Sequence, residues 1–275
     1  MRMNKKHLIL SILIIGLCFI GIIACYLSTY KKSDGNDSTS IIDERKAKIG
    51  SDKKLVSAKI VGDLATKEQL IAMIDGKKIL IYHANGEQLD QITNIKSVDA
   101  DHDGKKEIFI SVDTRRNDFS REIFFILKKE KSTYKVLKLK YPKGTSKEGF
   151  DIAAKLNDDM SSISIFTSVS KNTYTVPVKE HYKENVMIEN GESIYAAFKE
   201  MNPKPNEVIG VQTNMSNFQF VSENKKDYIV AEQYVMGLFG PPDLIGKVHI
   251  TFYVKKDGKI SVKEFQFENI NKLAW

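Results

Sequence analysis

The sequence has almost no cysteine. Only two occur in 275 residues, and both lie near the N-terminus, at Cys18 and Cys25. No thiol follows residue 25, so the rest of the chain can form no disulfide, no cysteine zinc site and no thiol nucleophile. A chain of this length can fold on a hydrophobic core alone, so we expect packing to be its main source of stability.

The motifs of common catalytic sites are also missing. The five histidines are scattered, and none has the His-Glu-x-x-His spacing of a zinc protease. The chain has no Gly-x-Ser-x-Gly elbow, no P-loop and no dinucleotide-binding glycine motif. Adjacent acids such as Asp158 and Asp159 would point to opposite faces of a strand. These absences favour a non-catalytic protein, and the alternative is a hydrolase whose carboxylates meet only in the fold.

Only one long uncharged run is present, from Leu8 to Ala24, and Arg2, Lys5 and Lys6 precede it. Its seventeen residues lie between the length of a secretory signal and that of a membrane-spanning helix. The residues Ile22-Ile23-Ala24-Cys25 resemble a bacterial lipobox, in which the cysteine is lipidated after cleavage. Both alternatives make residues 1–30 a signal, lipoprotein or transmembrane anchor. We therefore expect the chain on the extracytoplasmic face of a bacterial cell membrane.

A polar segment over residues 31–54 follows this anchor, and its low apolar content predicts a flexible tether. Without residues 1–25, which carry three positive charges, the formal charge falls from +7 to 39 − 35 = +4. Export of a mildly basic chain argues against a nucleic-acid partner. A surface protein or an anionic wall polymer is the expected partner, besides the membrane itself.

From Leu55 onward, short β-type runs alternate with turn dipeptides, which predicts an all-β domain. The turn at Asp75-Gly76 joins Gln69–Ile74 to Lys77–Tyr82 in a predicted hairpin. The best helix candidate is Ser193–Met201, where apolar residues share one face and a proline follows. Lysines that alternate with apolar residues predict the solvent-exposed face of a strand pair. They are Lys128, Lys129, Lys131, Lys135, Lys138 and Lys140.

The most distinctive stretch is the nonapeptide at residues 99–107. Asp99, Asp101 and Asp103 occupy alternate positions, a glycine follows the third, and Glu107 ends the series. Alternate acids on a tight loop offer converging hard oxygen ligands, which Ca²⁺ prefers. We predict a structural Ca²⁺ site of these four side chains and the backbone carbonyl of Lys105. A plain polar turn is the alternative, but four packed carboxylates without a cation would repel one another.

This loop does not fit an EF-hand. An EF-hand needs a bidentate glutamate at position twelve and a helix on each side. Position twelve here is Ser111 or Ile110, depending on the start of the loop, and both flanks have β-type sequences. The intervening His102 is expected to point into solvent and not to be a ligand.

The pattern Asp-x-Asp-x-Asp-Gly-x-x-Glu before an apolar strand resembles the calcium loop of FG-GAP/VCBS-type repeats, found in the integrin α-chain head and in bacterial exported proteins. The resemblance covers residues 55–145, and residues 61–73 resemble a worn second copy with Asp63 at the position of Asp99. It implies propeller-like or partial-propeller sheet units. Residues 146–275 would add further β-rich units to the same compact domain.

Together these features predict a membrane-tethered, non-catalytic β-domain that acts in binding or assembly at the cell surface. An exported hydrolase, or an accessory subunit of one, is the alternative function.

Overall fold

The structure is a computed structural model, which describes residues 40–50, 53–62, 68–85, 87–114, 121–147, 149–167, 169, 172–183, 193–212 and 214–273. Sixteen strands and two short helices occur among these residues, which confirms the predicted all-β class. The predicted anchor, Cys25 and Asp63 lie outside the described residues. Within the described ranges, no helix is long and apolar enough to cross a membrane.

The first sheet is a four-stranded antiparallel meander that begins inside the predicted tether. Its strands are β1 (Ser40–Ile49), β2 (Lys54–Gly62), β3 (Gln69–Ile74) and β4 (Lys77–His83). The predicted hairpin of β3 and β4 is confirmed, with Ile74 opposite Lys77. The tether prediction is wrong for residues 40–49, because β1 pairs with β2 along its length and packs Ala47 and Ile49 against the core.

The second sheet is another four-stranded meander, and it lies against two hydrophobic cores. Its strands are β5 (Leu89–Val98), β6 (Glu107–Thr114), β7 (Arg121–Glu130) and β8 (Thr133–Val136). Ile108 and Ile110 of β6 pack in one core with the first sheet, whereas Phe109 packs in the other core. A strand that is buried on both faces needs apolar residues at successive positions. This burial explains the uninterrupted apolar run at the start of β6.

The third sheet has eight strands, and it packs around the core that contains Phe109 of β6. Its order is β11-β10-β9-β12-β14-β15-β16, and β13 also pairs with β14. Its strands are β9 (Ile152–Leu156), β10 (Ser162–Thr167), β11 (Tyr174–Pro177), β12 (Val208–Gln212), β13 (Ser216–Glu223), β14 (Lys226–Gly237), β15 (Gly240–Val254) and β16 (Ile260–Leu273). The two helices, α1 (Val178–His181) and α2 (Ile194–Glu200), lie between β11 and β12 in the chain.

The predicted helix is confirmed as α2. The Ser193 hydroxyl caps its N-terminus by accepting a hydrogen bond from the amide of Ala196 at 3.1 Å. Ile194, Ala197 and Phe198 are buried, as their shared face predicts.

Candidate cation-binding site

The acidic loop joins β5 to β6, and its own backbone amides hold its shape. Asp99 accepts hydrogen bonds from the amides of Asp103 and Gly104, both at 3.0 Å. Glu107, the first residue of β6, accepts one from the amide of Ala100 at 3.0 Å. Gly104 has a φ of +83°, a left-handed conformation that glycine adopts without steric cost. The loop therefore closes on itself, with its acidic ends close together.

Three of the four predicted carboxylates converge at one point. One oxygen from each of Asp99, Asp101 and Glu107 lies within 4.8 Å of the others. Asp103 is next to them, since its amide donates to an oxygen of Asp101 at 3.2 Å. Lys105 is exposed, and its amide donates to Asp103 at 2.8 Å. The carbonyl of Lys105 as a metal ligand stays a prediction.

A lysine of β7 lies directly on these carboxylates. The Nζ atom of Lys128 contacts Asp101 and lies 3.4 Å from Asp103 and 3.6 Å from Glu107. This lysine was expected on a solvent-exposed face, but its side chain is only 24% exposed. Burial lowers the pKa of the Lys128 ammonium, but the contact with Asp101 and the nearby negative charges outweigh burial and leave the pKa raised. One positive charge is thus already present where the acids meet.

The carboxyl of Glu107 is strongly perturbed by these surroundings. Its side chain is 2% exposed, and burial together with the negative charge of Asp101 raises its pKa from the usual 4.5 to about 7. The neighbouring Asp103 behaves differently, because the hydrogen bond from the amide of Lys105 lowers its pKa. A divalent cation beside Glu107 would stabilise the ionised carboxylate.

The loop is also attached to the third sheet. Asp227 of β14 accepts hydrogen bonds from the amide of Asp99 at 2.8 Å and from the Ser222 hydroxyl at 2.6 Å. His102, expected to point into solvent, instead stacks on Tyr253 with ring centroids 4.6 Å apart. Its Nε2 donates to the backbone carbonyl of Asp227 at 2.6 Å. Sequence reasoning missed Asp227, because it lies 128 positions from Asp99 and no local pattern connects them.

A buried histidine–aspartate pair joins helix α1 to the third sheet. The Nε2 of His181 is 2.5 Å from an oxygen of Asp243, and the hydroxyl of Tyr182 donates to the other oxygen at 3.0 Å. All three residues are at most 1% exposed. They join the end of α1 to β15, and the amide of Phe239, in the turn between β14 and β15, also donates to Asp243 at 3.1 Å. These buried hydrogen bonds hold α1 against β15, which is a structural role.

Two clefts in the described part of the chain are lined by basic residues. One, of about 220 Å³, lies between the turns that contain Asp75 and Ser132. The other, of about 320 Å³, lies between β1 and β5 and is lined by Arg45, Lys48 and Lys96. Neither of these two clefts contains the pair of facing carboxylates that a glycoside hydrolase uses.

A scan against protein-family models finds no matching family, and a search of curated proteins finds no similar sequence. The resemblance to FG-GAP/VCBS-type repeats therefore depends on the residues of this chain alone. The acidic loop and the sheets around it are the basis for a functional assignment.

Proposed function

We propose that this chain is a non-catalytic β-domain that acts in binding or assembly on the extracytoplasmic face of a bacterial membrane, where residues 1–30 anchor it. Its acidic loop binds one structural Ca²⁺ ion. The observation that carries this proposal is the convergence of Asp99, Asp101 and Glu107 on a loop held by its own amides.

The chemistry of the donors fits a hard divalent cation. The cluster offers only carboxylate oxygens, and Ca²⁺ takes roughly six to eight oxygen ligands at about 2.3–2.6 Å. Asp103, beside the three converging acids, supplies a fourth carboxylate. The ion would replace the ammonium of Lys128, whose partly exposed side chain can move towards solvent. We therefore expect competition between Ca²⁺ and Lys128 for the same carboxylates.

We also propose that the first and second sheets are successive blades of a partial propeller. Both are four-stranded antiparallel meanders, and they share one hydrophobic core. With Asp63 at the position of Asp99 and a two-residue deletion, the worn copy places Gln69 at the position of Glu107, and Gln69 opens β3 as Glu107 opens β6. The two strands differ in place, because β3 is third in its sheet and β6 is second. With β3 matched to β6, strands β2–β4 correspond to β5–β7, and both β1 and β8 would lie outside the repeated unit.

Calorimetric titration of Lys128→Met with Ca²⁺ tests the metal site. Two charges about 4 Å apart interact by about 4 kcal/mol at an effective dielectric constant near 20. Loss of the competing ammonium should therefore raise the Ca²⁺ affinity at least about tenfold, or about 1.4 kcal/mol. The matched control is Lys129→Met, since Lys129 is the exposed neighbour in the same strand. Absence of Ca²⁺ binding in both the parent chain and Lys128→Met would contradict the site.

Intact-mass analysis of detergent-extracted protein tests the anchor. Loss of residues 1–24 with a lipid on Cys25 is the expected result, because Ala24 supplies the small residue of the lipobox. A mass that retains residues 1–24 indicates a transmembrane helix instead. Recovery of an unmodified chain from the soluble fraction would contradict both forms of anchor.

A further inference from the structure

The first sheet has one face in the core and one face open. Side chains alternate between the two faces along a strand, so Val56, Ala58 and Ile60 of β2 point into the core. The alternate residues Leu55 and Lys59 therefore point the other way. We call this second surface the open face. Its exposed or partly exposed residues include Ile41, Glu44, Lys46, Lys48, Leu55, Lys59, Lys78 and Leu80, whereas Ser57 and Ile71 on the same face are buried.

Three large apolar side chains are exposed on the open face. Ile41 and Leu55 are each 55% exposed and Leu80 is 44% exposed. Ile41 is the second residue of β1, whereas Leu80 belongs to β4 at the opposite edge of the sheet. The register places them in different rows of the face, and Ile71, which pairs with Leu80, is buried on the same face. Exposed apolar side chains on a basic sheet face are candidates for an interaction surface.

Lysines surround these apolar residues and make the open face basic. Register pairs Lys46 with Ser57, Lys48 with Leu55 and Lys78 with Met73, so these lysines share the open face with Lys59. Glu44, opposite Lys59, is the acid on this face. Four lysines and one glutamate give a formal charge of 4 − 1 = +3. The partner of such a face should therefore be anionic and partly apolar.

We propose that the open face lies on the anionic phospholipid headgroups of the membrane that anchors the chain. This inference rests on the proposed function, because it uses the predicted anchor. β1 is the first described strand after the predicted anchor, and residues 31–39 can span at most about 30 Å when fully extended. Lysine stems and exposed leucines suit the boundary between headgroups and acyl chains, and the ammonium groups suit anionic lipids.

A second copy of the chain is a poorer occupant of this face. Face-to-face pairing of two open faces would bring a formal charge of +3 against an identical charge. Like charges across an interface disfavour association. An anionic bilayer instead neutralises the lysines and also covers Leu55 and Leu80.

Depth-dependent fluorescence quenching in the full chain tests the docking. The chain carrying Leu80→Cys is labelled with an environment-sensitive dye and reconstituted into vesicles that contain nitroxide-labelled lipid. Met160→Cys, at a position 39% exposed next to the third sheet, is the matched control. The parent chain, labelled in the same way, gives the background from Cys18 and Cys25. We compare vesicles of phosphatidylcholine alone with vesicles that also contain phosphatidylglycerol.

We expect quenching at position 80 but not at position 160, only with phosphatidylglycerol, and less at high salt. Each lysine near an anionic surface changes the docked population about fivefold. The variant Lys46→Glu/Lys48→Glu/Lys59→Glu should therefore reduce quenching at position 80 to the control level, and its melting temperature shows whether it folds. If that variant does not fold, the lipid and salt comparisons in the parent background still decide the question.

Three results would overturn the inference in distinguishable ways. Equal quenching at both positions, in a chain that floats with the vesicles, would contradict the docking but leave the anchor standing. A chain that does not float with vesicles would contradict the anchor, and the docking that depends on it. A signal that rises with protein density and not with anionic lipid assigns the open face to self-association.

Discussion

At the scale of single residues, Glu107 would couple proton binding to metal binding at the proposed site. Burial and the charge of Asp101 raise its pKa from 4.5 to about 7. The folded protein thus binds this proton more tightly than the unfolded chain does. The free energy of unfolding of the metal-free protein should therefore fall as pH rises from about 4.5 to about 7, by about 1–3 kcal/mol, and level off above this range.

The Ca²⁺ affinity of this site should change in the opposite direction. Because Ca²⁺ needs the ionised carboxylate, we expect tighter binding as pH rises to about 7 and proton release on binding below it. Calorimetry in buffers of different ionisation enthalpy measures both quantities. Glu107→Gln resembles the protonated side chain and should remove the pH dependence. A parent chain whose Ca²⁺ affinity is independent of pH between 5 and 7 would contradict the assignment.

The sequence predicts the residues of the acidic loop but not their surroundings. The alternation of Asp99, Asp101 and Asp103 is a local pattern, and a tight loop brings such residues together. Lys128 enters the site through strand register, because its neighbour Leu127 pairs with Ile108, which follows Glu107. Register and packing against a distant strand are properties of the whole fold. No spacing rule therefore identifies Lys128 or Asp227 as a partner of the loop.

At the scale of elements, hairpins with short turns were predictable and edge strands were not. Asp75-Gly76 and Asp257-Gly258 mark turns between apolar runs, and both hairpins are present. β1 is an edge strand with a charged sequence, which is why it resembles a tether. One of its edges pairs with β2, and its other edge lies beside β5 of the second sheet. Polar side chains of β1 pair with backbone groups of β5: Asp43 accepts from the amide of Ile92 at 2.8 Å, and Arg45 donates to the carbonyl of Ile92 at 3.1 Å.

Removal of β1 should therefore destabilise the protein. A chain that starts at Ser40 should fold and stay monomeric, whereas a chain that starts at Lys53 should lose several kcal/mol and aggregate. The shorter chain exposes the edges of β2 and β5 and uncovers the core beside Ile49. Denaturant unfolding and light scattering of the two truncated chains measure these effects. Equal stability of the two chains would restore the interpretation of residues 40–52 as a tether.

At the scale of the whole molecule, the second sheet joins the other two. It shares one core with the first sheet and another with the third. The acidic loop adds polar connections to the third sheet, where the amide of Val254 donates to the carbonyl of Ala100 at 2.9 Å and Asp227 accepts from the amide of Asp99. An ion in this loop would therefore stabilise the joint between two sheets, and its effect should extend to cooperative unfolding of the domain.

Calcium removal should therefore lower the melting temperature of the whole domain. An ion that binds only the native state contributes about 2.7 kcal/mol when its free concentration is 100 times its dissociation constant. For a domain of this size each kcal/mol corresponds to about 2–4 °C, so chelation with EDTA should lower the transition by about 5–10 °C. Asp99→Asn should melt at one temperature with and without EDTA, because Asp99 is a proposed ligand and also fixes the amides of Asp103 and Gly104. The exposed Asp151→Asn is the control that should keep the full response. If the parent chain melts at the same temperature with Ca²⁺ and with EDTA, then the loop is stable without an ion, and Ca²⁺ has no part in the fold.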